Sequence, residues 1–233
     1  MDIFWSSFLK AISLIFAGDR AVFSVVFLSL ACTFWATLGA AAIGLPAAFV
    51  LRYRNFRLKK LIILALNTLQ STPTVVVGLF LYVFISRRGV FGPFDLLYTP
   101  KAIALGQFFL IVPLLIMFTY SALNRLDPRY RQTALTLGAS DWQAFLVVFR
   151  ESRFALIAAL CSAFGRGVSE VGVSMMLGGN IKGFTRTMTT AMALEYDKGE
   201  FTLAVALGLV LLFVSFTINF SLNTFNTVKG SQS

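Results

Sequence analysis

The sequence has no histidine, only two cysteines and few charged residues. The absence of histidine excludes His-based metal sites and the Ser-His-Asp and Cys-His catalytic groups. Cys32 and Cys161 both lie in apolar runs, where a cysteine is typically a small buried hydrophobic residue. Neither a disulfide framework nor a thiolate metal site is therefore expected. We predict no metal site and no catalytic residue in this chain.

Charge is scarce, and the charge that is present is mostly basic. Charged residues make up 13% of the 233 positions and hydrophobic residues 58%, with a net charge of +10. Average soluble domains carry about 25% charged residues, so the composition indicates a membrane protein. We assign the basic residues to loops that face anionic membrane lipid. Nucleic-acid binding is not expected, because no aromatic and basic motif on a polar surface accompanies them.

Long apolar runs predict about five transmembrane helices. Each run meets the length of roughly 20 residues that a helix needs to cross a bilayer core. The fourth run contains Arg166 and Glu170, but small and apolar residues surround both. We therefore predict an all-α membrane protein with one transmembrane domain over residues 1–233. The predicted spans are residues 22–51, 61–86, 102–124, 154–179 and 201–226.

The N-terminal segment and the basic loops predict the topology. Ser6, Lys10 and Ser13 form a polar stripe on residues 1–20, which are too short to span and are predicted as an interfacial helix. A short sixth span is the alternative. Residues 52–60 hold five basic residues and no acidic one. Because basic loops stay inside, we predict a cytoplasmic C-terminus and an N-terminus outside.

The loop over residues 125–153 has the pattern helix, glycine turn, helix. Asp127 and Pro128 favour a helix start, and Gly138 is typical of a helix end. Ser140 is a good cap for a second helix that carries apolar residues on one face. We expect this second helix to be short and to lie parallel to the membrane, as a docking element on its cytoplasmic face.

This loop resembles the coupling loop of ABC importer permeases. The pattern of that family is Glu-Ala-Ala, three residues, Gly, nine residues and Ile-x-Leu-Pro. The chain departs from it at Gln132, at Thr133 and at Arg150-Glu151, which replaces Leu-Pro. The resemblance implies that the loop docks on an ATPase subunit. The residues that stand at the positions of this coupling loop are Gln132, Thr133, Ala134, Leu137, Gly138, Ala139, Ser140, Asp141 and Trp142.

Two of the predicted spans carry polar residues, which are costly in hydrocarbon unless they face a cavity or another helix. They could line a translocation path or bind helices to one another. Arg166 and Glu170 are spaced i, i+4, so they share a helix face. We favour helix packing over contact with an anionic solute for this pair, because Glu170 neutralises the cation. The candidate path residues are Ser71, Thr72, Pro73, Thr74, Arg166, Ser169 and Glu170.

These polar segments and residues 185–201 are similar to the molybdate, tungstate and sulfate branch of type I ABC importer permeases. The resemblance implies a MetI-like fold in a prokaryotic cytoplasmic membrane and import of a tetrahedral oxyanion, foremost tungstate. It also implies a homodimer, a pair of ABC ATPase subunits that bind ATP and Mg, and an extracytoplasmic substrate-binding protein. The chain has no G-x-x-x-x-G-K-[ST] motif, so we expect no cofactor in it.

Other function classes fit less well. A self-contained secondary transporter or channel would need coupling-ion carboxylates or rings of charge within its spans. Glu170 alone qualifies, and Arg166 lies beside it. A membrane-embedded enzyme would need acid–base groups that the sequence scarcely offers. Within the transporter reading, molybdate and sulfate remain alternatives to tungstate.

Overall fold

A computed structural model describes residues 8, 9, 12, 13 and 16–230. For residues 21, 218, 219 and 221–230 it describes the backbone alone. The interfacial helix predicted over residues 1–20 lies largely outside the described residues.

Within these ranges the chain forms α-helices joined by short loops and contains no strand. This confirms the predicted all-α class. The first five α-helices are α1 (Arg20–Tyr53), α2 (Lys59–Gln70), α3 (Thr74–Ile85), α4 (Pro100–Arg125) and α5 (Arg129–Thr136). They are followed by α6 (Asp141–Val168), α7 (Gly172–Gly178), α8 (Met188–Asp197) and α9 (Phe201–Gly230).

Two helices in the described part of the chain are long and apolar enough to cross a membrane alone. They are Val22–Tyr53 of α1 and Pro100–Arg125, which is α4, with mean hydropathies of 1.9 and 2.3. They match the first and third predicted spans. The bent pair of α2 and α3 would make a third span if the two helices count as one. Five spans therefore stay a prediction.

The second predicted span, residues 61–86, is not one straight helix. α2 ends at Gln70, and the axis of α3 lies at 101° to it. Pro73 has no N–H to continue the hydrogen-bond ladder, so a break is expected at this position. The N–H groups of Ser71 and Thr72 donate to Thr68 O and Leu69 O at 3.0 and 3.3 Å. These i, i+3 bonds tighten and end the last turn of α2.

The boundary predicted between the coupling loop and the fourth span, at residues 153 and 154, is absent. α6 begins in the loop and continues without interruption to Val168, so the short separate helix expected after Ser140 does not form. The physical reason is composition, because no glycine or proline occurs in α6 before Gly165. The predicted span is instead interrupted near its other end, at residues 169–171, after which α7 begins.

Small residues hold α1, α4 and α6 together. Alanines on α1 and α6 are buried against isoleucine and leucine side chains of α4, which allows the backbones to approach closely. A second cluster joins α1, α6, α8 and α9 around the end of α6. The first cluster consists of Ala36, Ala40, Ile111, Leu115, Ala159 and Ala163. These contacts position the end of α6, where the polar residues lie.

Candidate functional site

The two helix breaks, residues 71–73 and residues 169–171, lie close together. A methyl group added to Gly172 would lie 2.7 Å from Thr74 Oγ1 and 3.1 Å from Val75 N. One added to Gly78 would lie 3.2 Å from Val173 Cα. Only glycine fits at such distances, so Gly78 and Gly172 allow α3 and α7 to pack backbone to backbone. Two polar segments that are far apart in sequence thereby form one site.

Glu170 occupies the break between α6 and α7 and is buried, with its side chain 3% exposed. Arg166 Nη1 donates to Glu170 Oε2 at 2.7 Å, and Val173 N donates to Glu170 Oε1 at 3.2 Å. Val173 N is one of the first N–H groups of α7, which have no partner within their own helix. The carboxylate therefore pairs with the cation and also caps α7. The structure thus contains the ion pair that the i, i+4 spacing indicated.

The Arg166 side chain is 45% exposed, unlike its partner. One side of its guanidinium group pairs with Glu170, and the other side is accessible. Ser169 is exposed beside it, and its hydroxyl donates to Arg166 O at 3.1 Å. The ion pair therefore leaves one face of the Arg166 guanidinium accessible, and the role in helix packing stays a prediction.

The structure brings together only part of the predicted path. Thr74 lies against Gly172, next to the segment that contains Ser169 and Glu170. The Thr72 hydroxyl donates to Thr68 O of the preceding helix, α2, at 3.5 Å. Among the described contacts, none joins Ser71 or Thr72 to Arg166. The residues grouped at the two breaks are thus Thr74, Arg166, Ser169 and Glu170.

Two polar residues that the sequence analysis did not select complete this site. Gln107 of α4 is buried; it accepts a hydrogen bond from Thr33 Oγ1 at 3.1 Å and donates to Gly167 O at 3.2 Å. Thr189 of α8 donates to Glu170 O at 2.7 Å. Both contacts join distant parts of the sequence. Only the presence of a lone glutamine in the apolar run 102–124 could have drawn attention to Gln107.

A second buried charge cluster fixes the segment before α8. The Glu195 carboxylate lies 3.5 Å from Arg186 Nη1 and 3.2 Å from Lys198 Nζ. Arg186 Nη2 donates to Asn180 O at 3.4 Å, and Asn180 Nδ2 donates to Thr190 O at 3.2 Å. These bonds tie the loop over residues 179–187 to α8. The sequence analysis missed this cluster, because Arg186 lies nine positions before Glu195 and is not related to it by a helical spacing.

The far end of α7 is held by Tyr98. Tyr98 N donates to Leu177 O at 2.9 Å, and a methyl group added to Gly179 would lie 2.7 Å from the Tyr98 ring. A side-chain hydrogen bond with Tyr82 raises the pKa of the Tyr98 hydroxyl, with burial as a smaller cause. α7 is thus fixed at both ends, by Glu170 and by Tyr98.

The coupling loop has the predicted turn and cap. Gly138 has a φ of +84°, and a methyl group added to it would have nothing within 4 Å. Glycine is therefore required there by the backbone conformation and not by close packing. Ser140 Oγ accepts from Gln143 N at 3.3 Å, and Gln143 Oε1 accepts from Ser140 N at 2.8 Å. This is a capping box, and it starts α6 at a defined residue. An ion pair of 2.8 Å between Arg131 and Asp141 joins α5 to α6.

The loop presents apolar side chains on a rigid support. Leu137 and Trp142 are 82% and 65% exposed. The Trp142 ring stacks on Phe145 with 5.1 Å between centroids, and Phe145 packs edge-on against Phe49 of α1 at 4.8 Å. Exposed apolar groups held in this way are typical of a protein-docking surface.

An all-α chain with helices long and apolar enough to cross a membrane, and with an amphipathic loop of helix, glycine turn and helix, agrees with the resemblance to ABC importer permeases. Residues 40–228 match the family described as binding-protein-dependent transport system inner membrane component, and the chain belongs to this family. It is thus a membrane transport subunit of the type that the coupling loop indicated.

Two similar relatives are tungstate uptake system permease proteins TupB. That of Peptoclostridium acidaminophilum is 39% identical over 219 residues, covering 94% of this chain and 96% of the relative. That of Campylobacter jejuni is 41% identical over 220 residues, covering 94% and 92%. The sulfate transport system permease protein CysT of Escherichia coli is 30% identical and covers 91% of this chain and 78% of the relative.

Solved structures show the same fold. The inward-facing MetNI methionine ABC transporter matches with a TM-score of 0.71 and 18% identity, covering 88% of this chain and 94% of the matched chain. An amino acid ABC transporter matches with a TM-score of 0.66 and 16% identity, covering 92% and 96%. The predicted MetI-like architecture is therefore confirmed.

Proposed function

We propose that this chain is the permease subunit of an importer for tungstate, with molybdate and sulfate as the alternatives. The observation that carries the choice of solute is the identity of 39% and 41% to two tungstate uptake permeases across 94% of the chain. Identity is 30% to a sulfate permease and 28% to a molybdenum permease. All three solutes are tetrahedral oxyanions, so the same kind of path suits each of them.

The proposed assembly contains two copies of this chain, two ABC ATPase subunits that bind ATP and Mg, and an extracytoplasmic substrate-binding protein. Membership of a family of binding-protein-dependent transport components supports the binding protein and the ATPase. The density of basic residues in loop 52–60 supports a cytoplasmic C-terminus and an N-terminus outside.

In this assembly the coupling loop docks on the ATPase. Leu137 and Trp142 offer the exposed apolar groups, and the ion pair between Arg131 and Asp141 joins α5 to α6. Because α6 runs without interruption from the loop to Val168, two residues before Glu170, ATPase closure would be transmitted to the two helix breaks as movement of a single helix. Such rigid-body rearrangement is how many transporters alternate access.

The polar residues at the breaks suit passage better than tight binding. Arg166 offers one accessible cationic face, and Glu170 offsets its charge at 2.7 Å. A dianion would find partial replacement of its hydration at the Ser169 hydroxyl and the exposed side of Arg166. A path must bind its solute weakly enough to release it, and a neutralised cation meets that condition.

The test is tungsten uptake by cells that lack an endogenous system and express this chain with its ATPase and binding protein. Cell-associated tungsten and molybdenum are measured by mass spectrometry and sulfate by a radioactive label, each with an excess of the other oxyanions as competitor. We expect tungsten accumulation that excess sulfate does not reduce, and none without the ATPase. Equal accumulation without the ATPase would contradict the importer, whereas preferential uptake of molybdate or sulfate would reassign the solute alone.

A further inference from the structure

A groove of about 790 Å³ lies between the C-terminal end of α1 and the first turns of α6. Small side chains on α1, Ala41 and Ala42, leave space beside Pro46, and the rings of Phe145 and Phe149 on α6 form the opposite wall. The volume is within the range of about 300–1,000 Å³ that is usual for ligand sites. This groove is separate from the helix breaks and does not include Leu137, but it shares Trp142 with the exposed surface of the coupling loop.

The groove changes from apolar to basic along its length. Its floor, with Ala42 and Pro46, belongs to the charge-free stretch 22–51 that forms a membrane span. Its rim contains Arg54, which comes directly after α1. Trp142 also lines the rim, and aromatic residues of this kind are enriched at the level of lipid headgroups. The groove therefore crosses the boundary between hydrocarbon and headgroup.

Arg54 is the rim cation whose charge is not offset. Arg131 also lines the groove, but it pairs with Asp141 at 2.8 Å and lies over the Tyr53 ring at 5.5 Å. Arg54 is exposed, and its guanidinium makes no ion pair with any residue that the structure describes.

The neighbouring basic residues Arg52 and Lys59 donate hydrogen bonds to the backbone. Arg52 Nε and Lys59 Nζ donate to the backbone carbonyls of Leu123 and Arg54 at 3.5 and 3.4 Å. Both thus serve to fix the ends of helices. No acidic residue occurs in residues 52–60. The rim therefore has a net positive charge, and Arg54 is the cation on it that remains accessible.

We propose that this groove binds one anionic glycerophospholipid, with its phosphate against Arg54 and an acyl chain along Ala42 and Pro46. An acyl chain complements the apolar floor at membrane depth, which a soluble subunit does not reach. The phosphate complements the unpaired cation, and juxtamembrane bases attract anionic lipid for this reason. The proposal depends on the membrane placement of α1 and not on the transported solute.

The test is native mass spectrometry of the full chain, in the complex in which it purifies, after delipidation and addition of defined lipids. We expect one phosphatidylglycerol per chain to be retained about fivefold better than phosphatidylcholine, as one juxtamembrane charge would give. Arg54→Gln should abolish that preference, and Arg54→Lys should keep it. Ala42→Trp should reduce the retention of both lipids because it fills the floor.

Two matched variants separate the groove from its surroundings. Arg57→Gln removes an exposed base of the same loop, and Ile43→Trp places the same ring on an exposed position of the same helix outside the groove. Neither should change lipid retention. Equal retention of the two lipids by wild type, or loss of the preference in Arg57→Gln as large as in Arg54→Gln, would overturn the proposal.

A protein occupant is distinguished by labelling. In a chain whose two native cysteines are replaced by alanine, Ala42→Cys should react with a maleimide in detergent. Phosphatidylglycerol should protect it, and purified ATPase without lipid should not. Protection by the ATPase alone would show a protein-docking groove and overturn the lipid proposal.

Discussion

Glu170 and Arg166 form an ion pair of 2.7 Å, yet only Glu170 is buried, at 3% exposure against 45%. The buried partner also accepts from Val173 N, and its carbonyl accepts from Thr189. Glu170 therefore joins α6, α7 and α8, whereas Arg166 contributes to one bond of that set. The two residues are paired, but they are not equivalent.

This difference predicts a graded series of substitutions at Glu170. Glu170→Gln keeps an oxygen that accepts from Val173 N, so it should lower stability less than Glu170→Ala, which loses hydrogen bonds together worth about 2 kcal/mol or more. The exchange of both residues, Arg166→Glu with Glu170→Arg, should not restore stability, because arginine cannot accept from Val173 N. The measurement is the thermal unfolding midpoint of the purified protein in detergent. Wild-type stability of the exchanged variant would contradict the capping role.

Gly172 and Gly165 offer a matched pair of glycine substitutions. In Gly172→Ala the new methyl group meets Thr74 Oγ1 at 2.7 Å and the backbone of Val75 at 3.1 Å, so α3 and α7 must separate. We expect a loss of about 1–3 kcal/mol from such overpacking, together with loss of uptake. Gly165→Ala meets nothing within 4 Å and should leave both unchanged. Similar unfolding midpoints for the two variants would show that the breaks do not depend on this contact.

Gln107 should be the most sensitive polar residue of α4. Gln107→Leu leaves the buried Thr33 hydroxyl without the partner observed in the structure, which costs about 1–3 kcal/mol for an unsatisfied group. It also removes one of two donors to Gly167 O, which keeps the bond from Glu170 N at 3.1 Å. Thr33→Val removes one of the two bonds and should cost less. Both are measured by thermal unfolding in detergent. A larger effect of Thr33→Val would mean that the contact with Gly167 O contributes little.

Gly138 tests the coupling loop through its backbone conformation. A φ of +84° is unfavourable by about 1–2 kcal/mol for residues with a Cβ atom, and most of all for β-branched residues. Gly138→Val should therefore reorient α5 and abolish both ATPase retention in a pull-down and uptake. Gly138→Asn should retain more of each, since asparagine visits this conformation readily. Equal retention in the two variants would argue against a role for the turn geometry.

The coupling loop could be predicted from the sequence because its signals are local. The Asp127-Pro128 start, the Gly138 turn and the Ser140 cap act within a few residues of where they stand, and the structure contains all three features. The continuation of α6 into the membrane was also local information. It was missed because the start of the apolar run after Arg153, and not helix propensity, set the predicted boundary at residue 153.

The contacts that assemble the polar site are not local, and the sequence could not supply them. Gln107 contacts Gly167 across 60 positions, and Thr189 contacts Glu170 across 19. Hydropathy finds apolar runs but not the direction in which a side chain points. It could therefore not predict that the two helix breaks lie close together. The proline at position 73 indicated a kink, but the angle of 101° depends on the packing of α3 against α7.

α6 has the properties of a lever. Its 28 residues correspond to a rod of about 42 Å at roughly 1.5 Å per residue. A tilt of about 10° around one end of a rod of that length displaces the other end by about 7 Å. One end is tied to Arg131 through Asp141, and the other leads to the carboxylate that caps α7. In the proposed mechanism, a rotation of this size imposed at the loop would therefore displace the residues at the two helix breaks by several ångströms.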